Sequence, residues 1–253
     1  MGLTPPPSND HSQRVQADIT TLAVDAIVRA ANSFLPGVDG AIQARGWASC
    51  ALNPTSESFF REQLLLLAAK LGTPVATRSG GNLCDMLMPT GAHAAKPRSL
   101  SKIHSAGEFP LHIDTAHWLT PCRYVILACL SPGSGNRPTL LLDTPRLPLS
   151  EQQVSLLHST PLRVTNGRNS FFSTILSKTR PFVRFDPGCM TTTTPDGSAS
   201  LEVLSRQNWP DHVESVHWKA GTVLVIDNWR LLHGRAHADC SDPDRKLLRV
   251  SIR

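Results

Sequence analysis

His112-Ile113-Asp114 sets an imidazole and a carboxylate two residues apart, and a third donor, His233, stands downstream in Ile226-Asp227-Asn228-Trp229-Arg230-Leu231-Leu232-His233-Gly234-Arg235. Two imidazoles and one carboxylate form a facial donor set that suits non-haem Fe(II) and leaves coordination positions open for chemistry. Thr139 lies between the two donor clusters, and Arg245 follows the second. With 10 His and 14 Asp in 253 residues, roughly half a His-X-Asp triplet is expected by chance, so the triplet alone is a weak signal. A second copy, His237-Ala238-Asp239, occurs in a polar stretch of turn composition ending Ser241-Asp242-Pro243-Asp244. His112 instead follows Glu108-Phe109-Pro110-Leu111 and is succeeded by the apolar run Tyr124 to Leu130, which reads as a buried strand. Context therefore favours His112 and Asp114 as donors and leaves His237 on the surface.

The donors need strands to hold them. Gly221-Thr222-Val223-Leu224-Val225-Ile226-Asp227 reads as a strand leading through a turn to His233, and Leu247 to Ile252 reads as another. Arg245 and Arg249 are evenly spaced in the alternating run Arg245 to Ile252, which puts both on one face, either the interior or a solvent-facing basic edge. Glu57 to Leu71 reads as a helix capped by Ser56 or Ser58, with Leu64, Leu65, Ala68 and Leu71 as its apolar stripe and Gly72 as its stop. Residues 144–180 read as an insertion over the mouth of the core, and Gly188 to Ser200 as a loop.

From about Phe59 to the C-terminus the chain resembles the taurine dioxygenase/clavaminate synthase-like superfamily. Phe109-Pro110-Leu111-His112-Ile113-Asp114-Thr115-Ala116 is similar to its first ligand motif, and the block around His233 is similar to the second-ligand motif of γ-butyrobetaine hydroxylases within it. The resemblance implies a mainly β fold with flanking helices (α+β) built on a double-stranded β-helix, or jelly roll. It implies Fe(II), 2-oxoglutarate and O2, with His112, Asp114 and His233 as metal ligands and no catalytic group beyond that centre. By position, Thr139 and Arg245 match the pair that binds the far carboxylate of 2-oxoglutarate, with Arg249 a further candidate. The implied reaction is hydroxylation or desaturation of an unactivated C–H in a small molecule, with release of succinate and CO2. Residue chemistry agrees, because a carboxylate inside a dry barrel is best met by the planar, permanently charged fork of arginine.

Two further arginines bear on the substrate. Arg184 lies in the alternating run Val183-Arg184-Phe185-Asp186-Pro187-Gly188, and Arg235 lies two residues past His233. Both read either as contacts to a carboxylate-bearing, amino-acid-like substrate or as members of salt bridges with Asp186, Asp227 or Asp239.

The rest of the composition sets limits. At 27.5 kDa, with 40% hydrophobic and 18% charged residues, the chain has the material for one core domain, expected over residues 51–253. A net charge of +5 is mild and scattered, with no basic run or aromatic platform of the kind nucleic acid needs. Six cysteines show no C-X-X-C pair, which suggests free thiols in a reducing, cytoplasmic setting. No signal-peptide pattern or membrane-spanning stretch is evident, so a small molecule is the expected partner, and oligomeric state is not encoded legibly. Residues 1–50 read as an N-terminal segment, partly disordered. Within it, residues 17–46, with Val38-Asp39-Gly40-Ala41-Ile42, resemble the opening of a macro domain, although too short to assemble an ADP-ribose pocket. A jelly-roll binding protein without turnover and an ADP-ribose-binding module are the alternative readings.

Overall fold

A computed structural model describes residues 37, 39–89, 104, 107–238 and 242–253. Most of the macro-domain-like stretch, together with Asp239 and Cys240, lies outside the described residues. The architecture agrees with the expected fold class: among the described residues the strands form three antiparallel sheets, flanked by helices. The largest sheet has the order β1(Trp47–Ala51), β11(Thr222–Asp227), β5(Tyr124–Ser131), β13(Lys246–Ile252), β2(Pro74–Val75), with β3(Cys84–Leu87) also pairing β13. The second has four strands in the order β10(Val213–Val216), β6(Thr139–Asp143), β12(Leu231–Arg235), β4(Phe109–His112). A small third sheet joins β8(Asn169–Ser173), β7(Leu162–Asn166) and β9(Met190–Thr191).

Period-2 alternation divides the core into three layers. On β13, Leu248, Val250 and Ile252 point outward and pack with Phe60, Leu64, Leu67 and Ala68 of helix α1(Glu57–Leu71). Leu247 points the other way, into a cluster between the two large sheets with Val125, Leu127, Cys129, Leu141, Leu224 and Leu231. On the second sheet, Leu140, Leu142 and Leu232 face outward and are covered by Leu157 of α2(Glu151–Ser159), Leu162 and Val164 of β7, and Ile175. Consequently Thr139, His233, Arg235, Arg245 and Arg249, which share parity with the inward residues of their strands or strand ends, face the space between the sheets.

Several expectations are refined. Helix α1 has the predicted bounds; the Ser56 hydroxyl accepts the Phe59 N–H at 3.2 Å, and the Gly72 N–H closes on the Ala68 carbonyl. Its buried stripe runs through Phe60, Leu64, Leu67 and Ala68, while Leu65 is only partly buried. The expected domain boundary at residues 50/51 falls inside β1, which pairs with β11 from Trp47↔Ile226 to Ala51↔Thr222, so the sheet begins at Trp47. Just before it, the Arg230 guanidinium takes the carbonyls of Gln43 and Ala44 and so tethers the end of a short helical segment to β12. Residues 144–180 supply α2 and the β7–β8 hairpin, and the apolar contacts above place this insertion on the outer face of the second sheet. Gly188 to Ser200 is largely ordered: Thr194 caps α3(Pro195–Val203), with proline at its first position. The threonine run that suggests a loop is in fact a capped helix start. Among the described residues no helix is long and apolar enough to cross a membrane, and Cys50, Cys84, Cys122, Cys129 and Cys189 are free thiols.

Candidate metal centre

Strand pairing brings the two imidazoles together. His112, the last residue of β4, is the cross-strand partner of His233 on β12, and their ring centroids lie 4.6 Å apart. Asp114 follows on the next turn, and its Oδ1 sits 3.6 Å from His112 Nε2 and 3.7 Å from His233 Nε2. All three side chains are buried, at 7%, 8% and 5% exposure for His112, Asp114 and His233, and their donor atoms lie within 4.8 Å of one another. His112 Nδ1 lies 2.9 Å from the Pro110 carbonyl. That oxygen can only accept, so the proton belongs on Nδ1 and the Nε2 lone pair is presented to the centre. The set therefore fits a divalent cation: one tautomer is fixed, and three donors converge in a buried site.

A dense polar clasp holds Asp114 in place. Thr115 adopts a left-handed backbone (φ 58°), turning the chain sharply after the carboxylate. Its hydroxyl donates to the Asp114 carbonyl at 2.7 Å and accepts the Cys122 N–H at 2.8 Å, closing the loop. Asn228, fully buried, accepts the Asp114 N–H at 2.7 Å and donates to the carbonyls of Asp114 (3.0 Å) and Cys122 (2.8 Å). Arg249 donates to Asp114 Oδ2 at 3.1 Å and to Asp85 Oδ2 at 3.0 Å. One Asp114 oxygen thus engages the arginine while the other faces the imidazoles. Burial alone would push the Asp114 carboxyl up; the Arg249 charge and the two imidazoles beside the carboxylate outweigh it and hold the group well below the usual carboxylate range. Burial lowers the His233 imidazole, favouring its neutral, ligating form. For His112 burial also pushes down, but the adjoining Asp114 carboxylate and the charge of Asp186 turn the net direction upward.

Asn228 was not evident from the sequence, where a lone amide before Trp229 carries no charge or periodicity to mark it. Because it fixes the backbone of Asp114 from both sides, Asn228→Ala is expected to weaken Fe(II) binding about 10- to 100-fold, the usual effect of removing a residue that orients a ligand. Metal titration of the folded variant checks this, and unchanged affinity would reduce Asn228 to a loop brace.

A second polar group faces the same interior. Arg245, just before β13, is 5% exposed, and its guanidinium has no hydrogen-bond or ion-pair partner among the described residues. Burial, and then the charge of the neighbouring Arg137, push it down to about 10. Thr139, 4% exposed at the start of β6, accepts the Trp218 indole N–H at 3.2 Å, which leaves its own hydroxyl proton to donate. The turn before it packs tightly on this corner: a side chain at Gly133 (φ 69°) would collide with Asp242 and crowd Arg245. Arg235 is the cross-strand partner of Thr139. Its guanidinium lies 3.6 Å over the Phe109 ring and bonds the Gly107 carbonyl, with Nε at 2.9 Å. Burial, then Arg137 and Arg245, push it down to about 9. Arg137 and Trp218 join this corner without any signal in the sequence; Arg137 sits in the turn Gly135-Asn136-Arg137-Pro138, where a solvated arginine is the ordinary expectation.

Arg184 is placed differently from its sequence reading. It is not on a strand; it is 1% exposed, its guanidinium bonds the carbonyls of Ala116, Trp118 (2.6 Å) and Leu119 (2.7 Å), and it lies near the rings of Phe171 and Phe182. These donors hold the loop that follows Asp114, so the side chain braces that loop. Its partners are main-chain carbonyls and not the carboxylates of a salt bridge. Arg184→Ala should strand three carbonyls and cost on the order of 3 kcal/mol of stability, visible as an early thermal melt. A variant that melts normally would show that water replaces the guanidinium.

Residues 137–251 match a family described as taurine catabolism dioxygenase TauD, TfdA family. No curated protein matches the chain in sequence. Among solved structures, an asparagine oxygenase in complex with Fe(II), 2S,3S-3-hydroxyasparagine and succinate is similar with a TM-score of 0.70 and 17% identity, over 90% of this chain and 83% of that one. The non-haem iron oxygenase OrfP with Fe, succinate and (3S)-hydroxy-L-Arg gives 0.66 and 20%, over 92% and 84%. OrfP with Fe and alpha-ketoglutaric acid gives 0.60 and 23%, over 80% and 67%.

Proposed function

From the match of residues 137–251 to the TauD, TfdA family, and from the donor set and pocket above, we propose that the chain is an Fe(II)/2-oxoglutarate-dependent oxygenase. Its reaction is hydroxylation or desaturation of an unactivated C–H in a small, amino-acid-like molecule, with release of succinate and CO2. One observation carries the reading: a buried His–Asp–His set shares the barrel interior with Arg245, a buried guanidinium that has no hydrogen-bond or ion-pair partner among the described residues. Such a charge is costly unless an anion meets it, and a dicarboxylic keto acid can chelate a metal at one end and satisfy an arginine at the other.

The Fe(II) centre, with 2-oxoglutarate and O2, supplies the oxidant for the C–H bond. The chain's own residues have distinct parts. His112 and His233 present ring nitrogens, and Asp114 presents one oxygen, to the metal. Arg249, expected beside the cosubstrate, acts through Asp114: by bonding Oδ2 it keeps the carboxylate ionised and orients Oδ1 toward the imidazoles. Arg245 and the Thr139 hydroxyl receive the far carboxylate of 2-oxoglutarate as a charge-assisted pair and a neutral donor. Arg235 forms the wall beside Thr139. Leu141, Leu231 and Leu247 keep the space between the sheets dry, which strengthens each of these contacts. The amino-acid class of substrate is supported by the similar structures, which hold hydroxylated asparagine or arginine.

The experiment is a screen of free amino acids and related carboxylates with Fe(II), 2-oxoglutarate and O2. The expected result is a member that stimulates succinate formation and gains the mass of one oxygen or loses two hydrogens. Fe(II) and 2-oxoglutarate binding without stimulation by any member would remove the amino-acid class.

A further inference from the structure

Arg249 orients Asp114, but its charge opposes the one that a metal needs there. Its Nη1 donates to Asp114 Oδ2 at 3.1 Å. Two neutral imidazoles and one carboxylate have a single negative charge to offer a divalent cation. A lone guanidinium on that carboxylate would cancel the charge and would itself repel the cation. The counterweight stands on a strand outside the donor set.

Asp85 is the cross-strand partner of Arg249 in the pairing of β3 with β13. On β3, Cys84 and Met86 pack with the outer cluster around α1, whereas Leu87 packs with the cluster between the two large sheets. Asp85 therefore shares the inward side with Leu87, and contact bears this out: its Oδ2 accepts from Arg249 Nη2 at 3.0 Å. The Thr77 hydroxyl joins them, donating to Asp85 Oδ2 and accepting from Arg249 Nη2, each at 3.4 Å. The two arms of one guanidinium are thus taken by two carboxylates, one in the donor set and one outside it. Among the described residues Arg249 is the ion-pair partner that Asp85 has. Their side chains are 20% and 31% exposed and that of Asp114 is 10% exposed, so solvent and salt screen these charges only in part.

We propose that Asp85 is a positioning residue of the metal centre: as counter-ion to Arg249, it lets the arginine orient Asp114 without cancelling the charge that Asp114 presents to the metal. With Asp85 in place the three charged side chains sum to a single negative charge, and without it they sum to none. The proposal rests on the reading of His112, Asp114 and His233 as metal ligands. It assigns to Asp85 a role exerted through Arg249.

Fe(II) affinity is measured by anaerobic calorimetry, with no substrate present, for the wild type, Asp85→Asn, Asp85→Glu and the double variant Asp85→Asn/Arg249→Gln. Circular dichroism and a melt of the metal-free protein show which variants are folded. Asp85→Asn should weaken Fe(II) binding about 10- to 100-fold, the range for loss of a residue that tunes a ligand from behind. Asp85→Glu, which keeps the charge, should recover most of that loss. The double variant should also bind Fe(II) more tightly than Asp85→Asn. Its glutamine amide can still donate to Asp114 Oδ2, while the set regains its negative charge. If Asp85 merely braced β3, the second substitution would deepen the loss, since the two residues would then contribute separately to the same fold. Unchanged affinity in Asp85→Asn, or a folded double variant that binds no more tightly than Asp85→Asn, would overturn the assignment. Should the double variant not fold, Asp85→Glu decides, and a loss equal to that of Asp85→Asn overturns it. Failure of the wild type to bind Fe(II) would instead overturn the metal-centre reading, and this proposal with it.

Discussion

His112→Ala and His233→Ala are each expected to abolish Fe(II) retention and turnover, while His237→Ala leaves both at the wild-type level. The two histidines proposed as ligands are cross-strand partners whose Nε2 atoms converge on Asp114 Oδ1. Removing either leaves one imidazole and one carboxylate, too few donors to retain a labile divalent ion. Loss of a residue that merely orients a ligand typically costs 10- to 100-fold in affinity, so loss of a ligand should cost more than about 10²-fold. His237 belongs to an equally good His-X-Asp triplet by sequence, but it is exposed and lies outside the donor set. Metal content after gel filtration, with circular dichroism to show that each variant is folded, checks the result. An essential His237 beside a dispensable His112 would refute the ligand assignment.

The second large effect belongs to Arg245. Arg245→Leu should weaken 2-oxoglutarate binding by on the order of 10²-fold or more, because truncating one member of a buried charge pair costs about 2–5 kcal/mol. The same variant should melt no earlier than the wild type when 2-oxoglutarate is absent. The guanidinium is buried without a hydrogen-bond or ion-pair partner among the described residues, and burial and Arg137 outweigh the nearby charge of Asp242 and push it down to about 10, so its charge is a net cost to the free protein. Calorimetry with 2-oxoglutarate on the metal-loaded protein, paired with a thermal melt of the free protein, separates the two effects. Normal affinity would move the anchor to Arg137 or Arg235, and early melting of the free variant would mark Arg245 as scaffold.

The donor set could be found in the sequence because its spacing follows strand geometry: His112 ends one strand, His233 sits inside another, and the runs around them have the alternation that buries one face. Helix α1 was legible for a similar reason, a serine cap, an apolar stripe and a terminal glycine within a single turn's reach of each other. What the sequence concealed depends on long-range contact. Arg184 has the same local pattern as a pocket arginine, and only the fold brings it against the carbonyls of Ala116, Trp118 and Leu119. Asn228 is more than a hundred residues from Asp114 in the chain. Trp47 to Ala51 joins the sheet through β11, a partner no local pattern announces. Even spacing suggests a shared face for Arg245 and Arg249, yet it gives no sign that Arg249 meets the carboxylate of Asp114.

The central claim is that the His112–Asp114–His233 set and Arg245 serve one reaction. The direct measurement is succinate formed from 2-oxoglutarate by the purified chain under O2, with and without Fe(II), in the wild type and in His233→Ala. The account predicts succinate that requires Fe(II), rises with an amino-acid substrate and is absent in His233→Ala. Wild-type protein that binds Fe(II) and 2-oxoglutarate yet forms no succinate under any of these conditions would contradict it, leaving a jelly-roll binding protein in place of an enzyme.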